Sequence, residues 1–434
     1  MAVAAQQPRP VLPQGVGRFT PMWRLFFLAM LVIAGFGLFA YWRETSEGMI
    51  VTGMRNVGTQ GGATWGLYVT MVVYFIGVSF AGITVAALIR IFDLKRLQPI
   101  GRIAELLTVV SLILGGLAIV VDLGQPLRGI INLFKYARPQ SPFFGTFTLV
   151  IAGYLFASSV YLYLGGRRDA AILADSPSRL QRFHRWWAAG YRDTDEERAR
   201  HRKTSFWLGL AIIPLLVVAH STLGFVFGLQ VGRPGWYGTL QAPAFVALAG
   251  VSGIGLIIVL AFIVRRLLST PDRISIGTFS MLGKFLMVLL AVYLYFMLVE
   301  LLTLLYATPE VEKRLSDALL TGQYAWIYWG SVAALAVPLA LLVWQALTRR
   351  WNVGWLVAGG VLVNLGAIGK RYLIVVPSQT HGTLLPYEVG SYSPTWVEYA
   401  VIAGMFAFGA LLIGLFIKVF PALPIADEEG DAYA

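Results

Sequence analysis

The chain contains no cysteine and only four histidines among 434 residues. Without cysteine it forms no disulfide, ligates no iron–sulfur cluster and performs no thiol chemistry. A membrane b-type haem ordinarily takes two axial histidines. Only His220 falls in an apolar run, since His184, His201 and His381 lie between such runs. Haem and metal sites are therefore not expected. Charge is also scarce, at 13% of residues, against roughly 25% in a soluble domain.

What fills the chain instead is apolar. Hydrophobic residues make up 57%, and the mean hydropathy is +0.71. A membrane-crossing helix takes about 20 mostly apolar residues. Ten stretches qualify: 22–42, 64–91, 106–124, 142–165, 204–229, 243–268, 277–306, 324–348, 352–376 and 396–420. The expected fold is an all-α integral membrane protein with ten transmembrane helices. An even number of spans puts both termini on one side. Of the 34 Lys and Arg residues, 23 fall on that side, 8 on the other, and Lys284, Lys370 and Arg371 inside spans. The positive-inside rule then makes both termini cytoplasmic. The net charge of +12 reads as this orientation signal rather than as a nucleic-acid surface.

An internal repeat refines the organisation. Gly77-Val-Ser-Phe-Ala-Gly82 in span 2 returns as Gly250-Val-Ser-Gly-Ile-Gly255 in span 6. The next helix in each case carries an acid near its outer end, Asp122 or Glu300. This predicts a segment 1–21, a four-helix bundle over 22–165 (spans 1–4), a basic loop over 166–203, and a second four-helix bundle over 204–348 (spans 5–8). Two further helices occupy 349–420, followed by an acidic tail over 421–434. The basic loop interleaves Leu180, Phe183, Trp186 and Trp187 with Arg179, Arg182 and Arg185, the pattern of an interfacial helix on anionic lipid or of a docking site.

Ionisable groups within spans are costly and mark functional candidates. At 1.5 Å per residue, Glu300 and Lys370 lie roughly 9 Å and His220 roughly 13 Å from the outer end, with Asp122 at the edge. Lys284 stands about 24 Å from Glu300 on the same helix. Glu300 either carries protons or balances Lys370 or Arg371. Asp122 either exchanges protons or pairs with Arg128. His220 is a proton acceptor or a bonded core residue.

Several motifs, taken together, resemble the polysulfide-reductase membrane subunit (NrfD/PsrC) family. They are Asp122-Leu-Gly-Gln-Pro-Leu-Arg128, Ser141-Pro142-Phe-Phe-Gly145, Trp236 with Ala242-Pro243-Ala-Phe245-Val246 and Ser252-Gly253, Arg371-Tyr-Leu-Ile-Val-Val-Pro377, and Tyr392-Ser-Pro-Thr-Trp-Val-Glu398. They run in order across residues 60–420. Ten-span members include the membrane subunits of alternative complex III and of some hydrogenase and sulfur-metabolism complexes. The resemblance implies a quinone-interacting subunit of a respiratory or photosynthetic redox complex in a bacterial or archaeal cytoplasmic membrane. Its bound substrate would be menaquinone or ubiquinone. Its partners would be lipid, other membrane subunits and an exoplasmic iron–sulfur electron-transfer subunit, with molybdopterin-type or cytochrome subunits beyond.

The resemblance also implies a quinone pocket toward the outer side of the first bundle. Tyr154 would orient a quinone oxygen there and Asp122 would exchange its proton. His220, Glu300, Lys284, Lys370 and Arg371 would form a proton path, with Asp122, His220 and Glu300 as the reacting acids and bases. Two positions depart from the family pattern: Lys370-Arg371 replaces Glu-Arg, and Phe80 stands where some long members carry a histidine. These departures favour an alternative, a scaffold or proton-path subunit without a working quinone site. A secondary transporter is the third reading, since a repeat with buried charges suits one.

Overall fold

The computed structural model describes residues 12–56, 63–136, 138, 140, 147–176, 178–268, 271–306, 309–381 and 390–425. The Ser141–Gly145 motif and the acidic residues of the tail, Asp427–Asp431, lie outside the described residues. Among the described residues, ten helices are long and apolar enough to cross a membrane. They are α1 (Pro21–Glu47), α2 (Leu67–Ile91), α3 (Gly101–Asp122), α5 (Thr148–Ala174), α7 (Asp195–Gly228), α8 (Gln241–Leu268), α9 (Ile276–Tyr306), α11 (Ala325–Thr348), α12 (Val353–Val375) and α14 (Trp396–Val419). Four shorter helices connect them: α4 (Pro126–Tyr136), α6 (Gln181–Ala188), α10 (Glu310–Leu320) and α13 (Pro377–Thr380).

Helix starts follow local chemistry. Thr20 caps α1 ahead of Pro21, and Asn352 caps α12. Thr194–Glu197 and Thr395–Glu398 form reciprocal capping boxes at α7 and α14, each satisfying backbone N–H groups that a helix start leaves unpaired. The α7 box moves that helix start upstream of the expected 204. Most of the charge run Asp193–Lys203, expected as loop, supplies its first turns from Asp195 on, because an acidic first turn suits a helix N-terminus. Pro214 and Pro338 sit within α7 and α11, as membrane helices tolerate.

The packing regroups the expected bundles. Helices α2, α3, α5 and α7 close one four-helix ring, and α8, α9, α11 and α12 close the other. These are spans 2–5 and 6–9 rather than spans 1–4 and 5–8. The first span instead pairs with the last, because small residues let their backbones meet: a Cβ built on Gly37 of α1 would lie 2.7 Å from the Gly404 Cα of α14. Helix α2 is buried along most of its length, whereas α1 is mostly exposed.

The repeated motifs meet where the two rings touch. A Cβ on Gly253 of α8 would stand 2.5 Å from the Ala81 Cβ and 2.6 Å from the Val78 carbonyl oxygen of α2. Each motif thus belongs to the first helix of its ring. For the alternating spans, the "terminal face" carries the start of α1 and the end of α14, and the "far face" is opposite.

The interfacial helix expected in the basic loop is α6. One side of it packs into the protein. Trp187 Nε1 donates to the Tyr163 carbonyl at 3.1 Å, and His184 Nε2 lies 2.8 Å from the Val419 carbonyl. Arg182, Arg185 and Trp186 face outward.

Candidate functional site

Asp122 ends α3 at the far face, where three other elements bring acids and phenols together. Tyr68 of α2 donates to Glu44 Oε2 at 2.6 Å. Tyr392 donates to Glu398 Oε1 and accepts from the Leu67 backbone N–H at 2.7 Å. Glu398 Oε2 accepts from the Gly53 and Thr395 backbone N–H groups at 2.7 and 2.9 Å. Asp122 comes to the same end, since a Cβ built on Gly124, two residues on, would lie 3.2 Å from the Met49 side chain just beyond α1. Its Oδ1 is buried with no hydrogen-bond partner, as is Glu44 Oε1. Among the described residues Asp122 forms no ion pair with Arg128, which is exposed. Sequence reasoning places Tyr392 and Glu398 only within a motif and leaves Glu44 unused. The available signal for Glu44 is an acid at the end of an apolar run.

Tyr154 does not join this group. Its hydroxyl donates to the Ser79 carbonyl at 2.8 Å, and twelve residues of α2 separate Ser79 from Leu67, about 18 Å of helix. At that mid-depth Thr108 also donates to the Ser79 carbonyl, at 3.0 Å. His220 Nε2 lies 2.8 Å from the Ile76 carbonyl and Nδ1 lies 2.9 Å from the Leu216 carbonyl. The His220 ring stands 4.8 Å from Phe80 and 6.0 Å from Tyr154. The His220 ring of α7 thus packs edge-on against Phe80 of α2. Tyr154, Thr108 and His220 tie α5, α3 and α7 to α2 through carbonyls that already serve the helix.

The second ring holds the other ionisable candidates. Lys370 Nζ of α12 donates to Glu300 Oε2 of α9 at 2.7 Å, so the lysine that departs from the family pattern meets a carboxylate from the helix across the ring. Arg371 is 2% exposed. Its Nη2 donates to the Phe245 carbonyl at 3.3 Å, its guanidinium carbon stands 4.2 Å over the Phe245 ring, and Nη1 has no partner. These residues border a cavity of about 410 Å³ near the far face. Lys284 is exposed on α9 and outside that cavity.

The terminal face carries a cluster that sequence reasoning misses. Arg90 pairs with Glu105 at 2.6 Å and Arg102 with Asp169 at 2.5 Å. Both carboxylates are buried, and both pairs border a cavity of about 610 Å³ that His201 also lines. Glu105 and Arg102 fall outside the expected span 3, because α3 begins five residues before the expected 106. Nearby, burial holds His184 below its ordinary value of 6.5 despite its bond to the Val419 carbonyl.

Ten apolar helices, eight of them in two rings and α1 paired with α14, with buried acids, phenols and ion pairs at both ends, define a polytopic membrane protein. The chain belongs to the NrfD polysulphide reductase family, whose model matches residues 55–382. It is 32% identical to a protein of Halobacterium salinarum named as a membrane subunit of dimethyl sulfoxide reductase, over 98% of this chain and 96% of that one. It is 25% identical to a selenate reductase subunit of Mesobacillus selenatarsenatis, covering 92% and 94% respectively. The Hdr-like menaquinol oxidoreductase integral membrane subunit of Archaeoglobus fulgidus is also 25% identical, again over 92% and 94%.

Proposed function

We propose that this chain is the quinone-reactive membrane subunit of a multi-subunit redox complex in a bacterial or archaeal cytoplasmic membrane. The observation that carries the reading is Asp122: a carboxylate at the far end of the first ring, one oxygen buried and unpartnered. Oxidation of a quinol releases two electrons and two protons. Asp122 accepts the two protons one after the other and releases each to the far face, at the end that also holds Glu44 and Glu398, and the two electrons leave to an iron–sulfur subunit docked on that exoplasmic face. The reverse direction uses the same groups. The quinone, menaquinone or ubiquinone, is substrate. Menaquinol in the name of the Archaeoglobus relative supports this class. Tyr154 is given a positioning role, since its hydroxyl is held on α2 well below Asp122.

Quinone-dependent turnover of the purified complex tests the assignment. Asp122→Asn should slow it by about 10²–10⁴-fold, the usual reach of a proton-transferring side chain, while Tyr154→Phe should leave it within a few-fold. Wild-type turnover in Asp122→Asn would remove the site. Strong loss in Tyr154→Phe alone would return the quinone to mid-depth.

A second reading, a scaffold and proton-path subunit, is favoured by the engagement of Tyr154 and His220 with α2 carbonyls. A route past His220, Arg371, Lys370 and Glu300 belongs to that reading. Lys284 has no place in it, because it faces away from the cavity. Proton uptake by proteoliposomes during turnover separates the two. The transporter alternative draws no support from the spans, which are continuous helices among the described residues.

A further inference from the structure

The cavity beside Arg371 is not accounted for by the reading above. It opens at the far face between α8, α9, α10 and α12, with exposed Tyr237 and Thr303 at its mouth. Its volume of about 410 Å³ falls within the range of small-molecule sites. The walls are mainly aromatic and aliphatic: Phe245, Tyr293, Phe296 and Tyr328 take part. At the inner end lies Arg371, almost wholly buried, with Nη1 unpartnered. A buried guanidinium hydrogen left without an acceptor is costly, so an oxygen acceptor from a ligand fits that position. A Cβ built on Gly77 would lie 3.5 Å from Arg371 Nη2, so the same side chain rests against α2 of the first ring.

The surrounding charges select the acceptor. Lys370 is already bonded to Glu300. Glu312 lines the cavity too, accepting from the Gly235 N–H at 3.0 Å. A phosphate or carboxylate entering here would approach both Glu300 and Glu312. A neutral carbonyl on a flat ring would not meet that repulsion, and the aromatic walls suit such a ring.

We propose that the second ring holds a quinone site of its own, with one carbonyl oxygen accepting from Arg371 Nη1 and the ring lying among Phe245, Tyr293 and Phe296. The inference rests on the quinone-linked reading and adds a site to it. It assigns binding and no further redox step.

The test is photolabelling of the intact complex with an azido-naphthoquinone, labelled peptides being read by mass spectrometry. Label should appear both in the first ring and in peptides covering 234–245 and 293–304. Excess unlabelled menaquinone should suppress both. Ala244→Phe, which fills the cavity without altering a charge, should lower second-ring label at least tenfold. The competition experiment requires no variant, so misfolding of Ala244→Phe leaves the test standing. Competable label confined to the first ring overturns the second site and leaves the functional reading intact. Second-ring label displaced by phosphatidylglycerol but not by menaquinone overturns it in favour of an acidic lipid. No competable label anywhere overturns the functional reading as well.

Discussion

Arg102 and Asp169 are the kind of pair that only a folded chain can hold together. Both side chains are within 4% of full burial, and Asp169 also accepts from the Ile425 N–H at 3.1 Å. Removing the cation leaves a carboxylate out of water with its charge uncompensated. Arg102→Met should therefore cost about 3–5 kcal/mol, seen as lower thermal stability of the protein in detergent. A melting temperature equal to wild type would mean that the pair is solvated. His184 carries a different residue-scale expectation. Burial depresses its proton affinity below the ordinary 6.5. As pH falls, the unfolded chain takes up that proton first, so the stability this contact contributes is full above about 6.5 and is lost progressively below it. Protection factors of the α6 amides, taken relative to the intrinsic exchange rate at each pH, should fall from pH 7 to pH 5, and His184→Gln should flatten that dependence. Equal pH dependence in both proteins would dismiss His184 as the cause.

Among elements, the decisive contacts are made by small residues. Helices α2 and α8 cross where Gly253 faces Ala81 and the Val78 carbonyl, close approach of the kind that small residues allow between membrane helices. The Gly253 Cβ position has backbone on one side, so relief requires the helices to separate. Gly253→Leu should destabilise by at least about 1–3 kcal/mol, the usual cost of overpacking. It should also loosen His220 and Arg371, which border α2 from either side. A variant with unchanged melting and turnover would show that the two rings are not held by this crossing. The glycine repeat is legible in sequence and does mark corresponding helices. Their membership is not legible: hydropathy counts spans but says nothing about which apolar faces meet. Only the Gly37–Gly404 approach reveals that α1 is paired with α14 and that the rings begin at α2.

For the whole molecule, the prediction concerns which face is cytoplasmic. The distribution of Lys and Arg predicts the terminal face inside, and with that orientation the proposed exoplasmic iron–sulfur partner meets the face holding Asp122 and the Arg371 cavity. The absence of cysteine makes a direct measurement simple. Single cysteines placed at Gly17 and at Gln230 should differ in labelling by an impermeant maleimide applied to intact cells, with Gln230→Cys reactive and Gly17→Cys protected until lysis. The opposite pattern would invert the protein and move the proposed partner to the other side.

Sequence alone determined the solvent, the number of spans and the family motifs. Each depends on local composition: a run of about 20 apolar residues crosses a bilayer whatever its neighbours are. It also singled out His220, Lys370 and Arg371, since ionisable groups deep in a span stand out against an apolar background, but not Glu44, Arg102, Glu105 or Asp169, which lie at helix ends. Tertiary structure decided which of them meet. Asp122 joined Glu44 and Glu398 from the first and last spans, Tyr154 joined His220 at mid-depth, Glu300 took Lys370, and Lys284 was left facing outward. Those outcomes depend on helix rotation and on contacts between residues hundreds of positions apart, which the spacing along one chain does not encode.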